Sequence, residues 1–123
     1  GLSISSLSEA CPASMRTRFC GVHFFNPPRY MHLVELIADS QTHPDVLDGL
    51  ESFLTTTLGK GVVRAKDTPN FIGNRFFAVA SSYGLEYALE NGYTIPEVDA
   101  ITGPTIGRPK TATFRLLDLV AWT

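Results

Sequence analysis

No apolar stretch in the 123 residues approaches the roughly 18–20 needed to cross a bilayer, and Gly1–Ala10 has neither the basic start nor the apolar centre of a signal peptide. A soluble fragment with no membrane span is expected. Runs of Lys or Arg are also absent, and the formal charge is only -2. Neither a nucleic-acid backbone nor an anionic membrane surface is therefore the expected main partner. Cysteine is scarce as well. Cys11 and Cys20 are the only two, too few for a disulfide framework in a chain rich in core-type residues, and they read as reduced, partly buried thiols. Free thiols suit a reducing compartment, either a bacterial cytoplasm or an organelle matrix. There is no HxxxH, CxxC or HExxH spacing, so no metal site is expected. Nor is there a GxGxxG turn: Gly103 and Gly107 enclose GPTIG, which follows a helical pattern rather than a strand.

What is present is enough apolar residue, 44% of the chain, for one modest core or for parts of two cores cut from a larger protein. Ser5–Arg18 reads as a short helix and a loop. The run FCGVHFF (Phe19–Phe25), stopped by Asn26-Pro27-Pro28, and the run MHLVELIA (Met31–Ala38) both suit buried strands. From Thr42 to Gly59 the spacing turns helical, with Val46, Leu47, Leu50, Phe53, Leu54 and Leu58 on one face, Pro44 in the first turn and Gly59 at the C-terminal cap. GVVRAKD (Gly61–Asp67) is a third strand candidate. Thr68-Pro69-Asn70 then opens a long helical stretch to Gly92, with Phe76, Val79, Ala80, Tyr83 and Tyr87 at helical spacing. Thr94 and Glu97 have the spacing of a capping box ahead of a helix near Pro96–Thr102. A loop over Gly103–Thr111 and a last helix over Thr113–Trp122 complete the chain. The expected fold class is α/β followed by all-α, with a domain boundary near Lys66–Pro69, hence domains over 1–67 and 68–123.

One pair of residues stands out chemically. His23 and Glu35 lie on consecutive strand candidates, symmetric about position 29 in the intervening turn, so antiparallel pairing sets them opposite each other, with Phe25 and Leu33 one step along the same face. A carboxylate on one ring nitrogen fixes the histidine tautomer and leaves the other nitrogen free to take a proton, which makes a general base. Spacing alone nonetheless favours an ordinary half-buried strand histidine, satisfied by a local carbonyl, with Glu35 on the surface.

His32 and His43 are weaker candidates, the latter at a helix entrance where capping or solvation suffices. Asn26 occupies a place where α/β sheets present ligand-contacting groups, and local grounds favour a turn-former before Pro27. Asn74 falls early in a helix, where asparagine has mediocre propensity and no capping duty, which mildly favours a specific hydrogen bond. Lys60 complements a helix C-terminus, and Arg108 and Lys110 lie in a loop. None of the three needs a functional role on these grounds.

Taken together, GVHFFNPPRYMHLVELI (Gly21–Ile37), LGKGVVRAKDTPNFIGNRFF (Leu58–Phe77) and GPTIGRPKTATFRLLDLV (Gly103–Val120) resemble the 3-hydroxyacyl-CoA dehydrogenase family, in unbroken order over nearly the whole chain. The wording PPRYMHLVEL is more similar to the dehydrogenase parts of large or multifunctional fatty-acid β-oxidation proteins than to the short monofunctional enzymes. The resemblance implies the C-terminal strands of a Rossmann-type NAD-binding domain followed by the first helices of a helical substrate-binding and dimerisation domain. It also implies NAD as cofactor, an acyl-CoA as substrate, and homodimer or interdomain contacts through the helical part, for which the helix Asn70–Asn91 is the candidate surface. The bland account of that stripe is intradomain core.

By the same resemblance His23 is the base that takes the proton of the substrate 3-hydroxyl and Glu35 the acid that orients it. Asn26 lies near the nicotinamide and Asn74 helps hold the substrate at its reacting oxygen. Two departures accompany these assignments. The family's active-site serine would be the residue immediately before Gly1, and its glycine-rich turn and ribose-binding acid lie further upstream, in the other half of the Rossmann domain. A non-catalytic folding or interaction module, inactive without that half, is therefore the rival expectation for this chain in isolation. A related NAD enzyme acting on a hydroxy acid without CoA is disfavoured by HFFNP occurring together with KDTPxFIxNR.

Overall fold

A computed structural model describes residues 2–120. The chain divides into two units, Gly1–Arg75 and Phe76–Thr123.

The first unit contains helix α1 (Ile4–Ala10), the single turn α2 (Ala13–Arg16), strands β1 (Cys20–Phe24) and β2 (Leu33–Ala38), helix α3 (Pro44–Thr56), strand β3 (Gly61–Ala65) and the first residues of helix α4 (Gly73–Asn91). The strands form one mixed sheet in the order β1-β2-β3, with β1 antiparallel and β3 parallel to β2. Parallel neighbours need a crossover, and α3 supplies it. It opens with Pro44 in its first turn and ends before Gly59, whose φ of 63° is the left-handed conformation that a side chain resists. Of its expected apolar face, Leu47 and Leu54 are buried, whereas Phe53 and Leu58 are exposed.

Being central, β2 is covered on both faces: Val34, Glu35, Leu36 and Ile37 are the most deeply buried stretch of the unit. Such a strand reads as a continuous apolar run, and Glu35 is its one charged member. On the face that Glu35 shares with Ile37, the buried residues Ile4, Ile37 and Ala65 cluster, with Phe19 and Phe71 packed against them. Helix α1 reaches this face because β1 offers Gly21 opposite Ile37. A Cβ there would stand 2.6 Å from Ile4 Cδ1 and 2.9 Å from Ile4 Cγ1, so any larger residue displaces the helix.

A long-range cap secures α1. The Asp67 carboxylate accepts from the N–H of Ile4 at 3.0 Å, the N–H of Ser5 at 2.9 Å and the hydroxyl of Ser3 at 2.9 Å. The bonds from Ser5 and Ile4 outweigh the effect of burial and hold the Asp67 carboxyl at about 2. Cys11 and Cys20 are free and half-buried, and burial pushes the Cys20 thiol up.

The second unit holds most of α4, then α5 (Ile95–Thr102), a 3-10 turn (Pro104–Ile106) and α6 (Phe114–Val120), with no strand among the described residues. The Thr94–Glu97 capping box forms as expected: Glu97 accepts from the Thr94 N–H at 2.8 Å and from its hydroxyl at 2.7 Å. Asp99 plays a part that local sequence does not show, receiving the N–H groups of Thr113, Phe114 and Arg115 at the start of α6. The expected end of that last helix at Trp122 lies outside the described residues.

Two expectations for α4 change. It begins at Gly73 rather than just after Pro69, because Asn70 and Phe71 take left-handed φ values of 63° and 46°. Its apolar stripe is also not a core: Phe76, Val79 and Tyr83 are each at least 70% exposed, while Ser81 and Ala88 are the buried positions. No described helix is long and apolar enough to cross a membrane.

Candidate active site

The antiparallel register of β1 and β2 sets His23 directly opposite Glu35. Side chains of opposed residues emerge on the same face, and here they meet, with His23 Nδ1 lying 2.6 Å from Glu35 Oε2. The strand pairing ends at Phe24 and Val34, one step short of the expected Phe25–Leu33 pair. Phe25 packs on the imidazole instead, with ring centroids 4.7 Å apart at 51°. Phe71 lies against the same ring at 5.5 Å and 53°.

A carboxylate that is 1% exposed in the middle of a sheet is costly unless its oxygens are satisfied. Glu35 spends one oxygen on His23, and its Oε1 accepts two consecutive backbone groups, the N–H of Ile72 at 2.8 Å and that of Gly73 at 2.7 Å. These are donors at the start of α4, where the unpaired N–H groups and the helix dipole favour negative charge. Burial pushes the Glu35 carboxyl up, but the hydrogen bonds from His23, Gly73 and Ile72 prevail and its pKa is lowered.

An ionised carboxylate can only accept, so Nδ1 is the donor in this contact, and in the neutral ring the lone pair then lies on Nε2. The His23 side chain remains 28% exposed, which leaves it accessible to a reacting group. The pair is an imidazole with one nitrogen anchored by a carboxylate and the other without a protein partner among the described residues, held on two strands rather than on a loop.

The remaining candidates sit around it without joining it. Asn26 is exposed just beyond the end of β1, and Asn74 is exposed as the second residue of α4. Neither side chain makes a hydrogen bond among the described residues, so the specific bond expected of Asn74 has no partner within them. His32 lies with its ring over Gly61, away from this pairing. Lys60 does more than complement a helix terminus, because its ammonium donates to the carbonyls of Pro28 and, at 2.7 Å, Met31 and so straps the β1–β2 connection. Among the described residues no group of three or more His, Cys, Asp or Glu gathers as a metal site would require.

Sequence reasoning missed Phe71, Ile72 and Gly73. The available signal was the apolar pair before a glycine in FIGN, directly ahead of a helix, which is where free N–H groups are found.

The sequence model of the family described as "3-hydroxyacyl-CoA dehydrogenase, NAD binding domain" matches residues 1–68. A Bacillus subtilis (strain 168) protein named "Probable 3-hydroxyacyl-CoA dehydrogenase" is 48% identical over 120 residues, covering 98% of this chain and 15% of that protein. The Sus scrofa protein "Hydroxyacyl-coenzyme A dehydrogenase, mitochondrial" is 46% identical over 119 residues, covering 97% of this chain and 37% of that protein. Among solved structures, an (S)-3-hydroxybutyryl-CoA dehydrogenase from Ralstonia eutropha superposes with a TM-score of 0.70 at 31% identity, covering 88% of this chain and 37% of its own. The chain thus spans well under two thirds of each of these relatives.

Proposed function

The chain belongs to the 3-hydroxyacyl-CoA dehydrogenase family, and from that premise we propose that it supplies the base and its orienting acid for the NAD-dependent oxidation of a 3-hydroxyacyl-CoA to the 3-ketoacyl-CoA. The observation that carries this reading is the 2.6 Å contact of His23 Nδ1 with Glu35 Oε2, which leaves Nε2 without a protein partner among the described residues. In the proposed step His23 Nε2 removes the proton of the substrate 3-hydroxyl, and Glu35 stabilises the imidazolium so formed. In the reverse direction the imidazolium returns that proton. NAD, when bound, supplies the hydride acceptor.

The residues fit one end of that cofactor. The exposed amide of Asn26, three positions after His23, suits a polar carboxamide beside the base. Asn74, exposed immediately after the residue that anchors Glu35, is proposed to hold the substrate near its reacting oxygen. No glycine-rich strand-to-helix turn occurs in this chain to receive a diphosphate. On that ground residues 1–67 are proposed to be the C-terminal part of a Rossmann-type domain, and 68–123 the start of a helical substrate-binding domain. The same ground favours a second reading for the chain in isolation: a folding or interaction module without dehydrogenase activity or tight NAD binding. Stoichiometric NADH fluorescence enhancement by residues 1–123 would overturn that second reading.

The catalytic proposal is tested by His23→Ala in the full-length protein. A fall in kcat/KM of roughly two to four orders of magnitude is expected for loss of a general base. Near-normal NAD-dependent turnover would sink it.

A further inference from the structure

We infer that Phe71 is a positioning residue for His23, an inference that rests on the reading of His23 as the base. A left-handed φ suits glycine and is tolerated by asparagine, as at Asn70 with 63°, but Phe71 at 46° is strained. For a residue as bulky as phenylalanine the conformation persists only if its surroundings hold it. Two features do so: the Phe71 N–H donates to the Thr68 carbonyl at 2.9 Å, and the side chain packs against the cluster of Ile4, Ile37 and Ala65.

The strained turn has two results, both directed at the same pair. It reverses the chain so that the next two N–H groups, of Ile72 and Gly73, converge on Glu35 Oε1. It also lays the Phe71 ring against the imidazole at 5.5 Å, where Phe25 is already in contact at 4.7 Å. The imidazole therefore meets two aromatic rings and one carboxylate, and rotation about its Cβ–Cγ bond is opposed both by the hydrogen bond and by the rings. Fixing that rotation fixes the direction of Nε2, the atom that must meet the substrate hydroxyl. A core filler needs none of this, since an apolar side chain on an unstrained backbone fills a core equally well.

The test uses the full-length protein with Phe71→Ala and Phe71→Leu, and with His23→Ala as the control. Two quantities are read: the split between kcat and KM, and the downfield proton resonance of the His23 Nδ1–H, identified by its absence from the control. Phe71→Ala is expected to lower kcat by about tenfold or more, since small misplacements of a reacting group are costly. KM for NAD and for the acyl-CoA should stay within about twofold, and the Nδ1–H resonance should broaden through faster exchange. Phe71→Leu refills the core without the flat face and keeps the test open if the alanine variant fails to fold. It should recover thermal stability but only part of kcat. A Phe71→Leu protein with wild-type kcat and an unchanged resonance overturns the inference. If His23→Ala itself stays active, the base assignment fails while the resonance still reports whether Phe71 orders the ring.

Discussion

The N–H of Gly73 donates to Glu35 Oε1 at 2.7 Å across 38 positions of sequence, so the start of α4 and the middle of β2 meet at one carboxylate. That carboxylate also holds His23. Any change at Glu35 therefore acts on the histidine and on the helix start together.

Glu35→Gln separates charge from shape at this point. The amide oxygen can still take the two backbone N–H groups, but the NH2 group then faces His23 Nδ1 and forces it to accept, which moves the ring hydrogen to Nε2. With the free nitrogen protonated, kcat/KM in the full-length protein should fall by roughly two to four orders of magnitude. Steady-state rates at several pH values, with circular dichroism to confirm folding, provide the measurement. A folded Glu35→Gln protein within threefold of wild-type activity would contradict the tautomer argument.

Acid stability should carry a signature of Asp67. Its carboxyl is held at about 2 by the hydrogen bonds at the start of α1, below the roughly 3.9 of an unfolded chain. A depressed carboxyl adds stability that is fully present above the unfolded value and is lost as pH falls through the folded one. Between about pH 4 and pH 2 the wild type should therefore lose stability more steeply than Asp67→Asn. Urea unfolding across that range decides the matter, and parallel profiles for the two proteins would show that the charge on Asp67 contributes nothing.

At Gly21 the test is steric. A valine there must push aside Ile4, whose Cδ1 lies 2.6 Å from where a Cβ would stand. The cost should be about 1–3 kcal/mol, as for other overpacked cores. Ile4→Ala in the Gly21→Val background should recover part of the loss, because the clash is with that side chain. Thermal unfolding of the single and double variants gives the comparison, and additive effects would mean that the two residues do not meet.

The parts of this arrangement that sequence revealed are those set by short-range symmetry. The equal distances of His23 and Glu35 from position 29 carry their register, because an antiparallel hairpin maps numbers into contacts. The Thr94–Glu97 box and the Pro44 helix start are equally local. What stayed hidden depends on chain returning from far away: Asp67 capping a helix 62–64 positions earlier, and Ile72 and Gly73 closing on Glu35. The helical pattern overextends α4 at its start for a related reason. Asparagine tolerates a left-handed conformation, but nothing in the type of Phe71 announces a second one, which its packing against the core cluster holds. The exposed stripe of Phe76, Val79 and Tyr83 shows the converse, since helical periodicity identifies an apolar face without saying what covers it.

Strand β2 is hydrogen-bonded along both of its sides, but β1 and β3 each have a partner on one side only among the described residues. Their outer edges are rows of donors and acceptors still open to pairing. The described sheet is thus a seam rather than a finished surface: further strands can be added at either margin while the central ladder, with the histidine and its carboxylate on it, keeps its register.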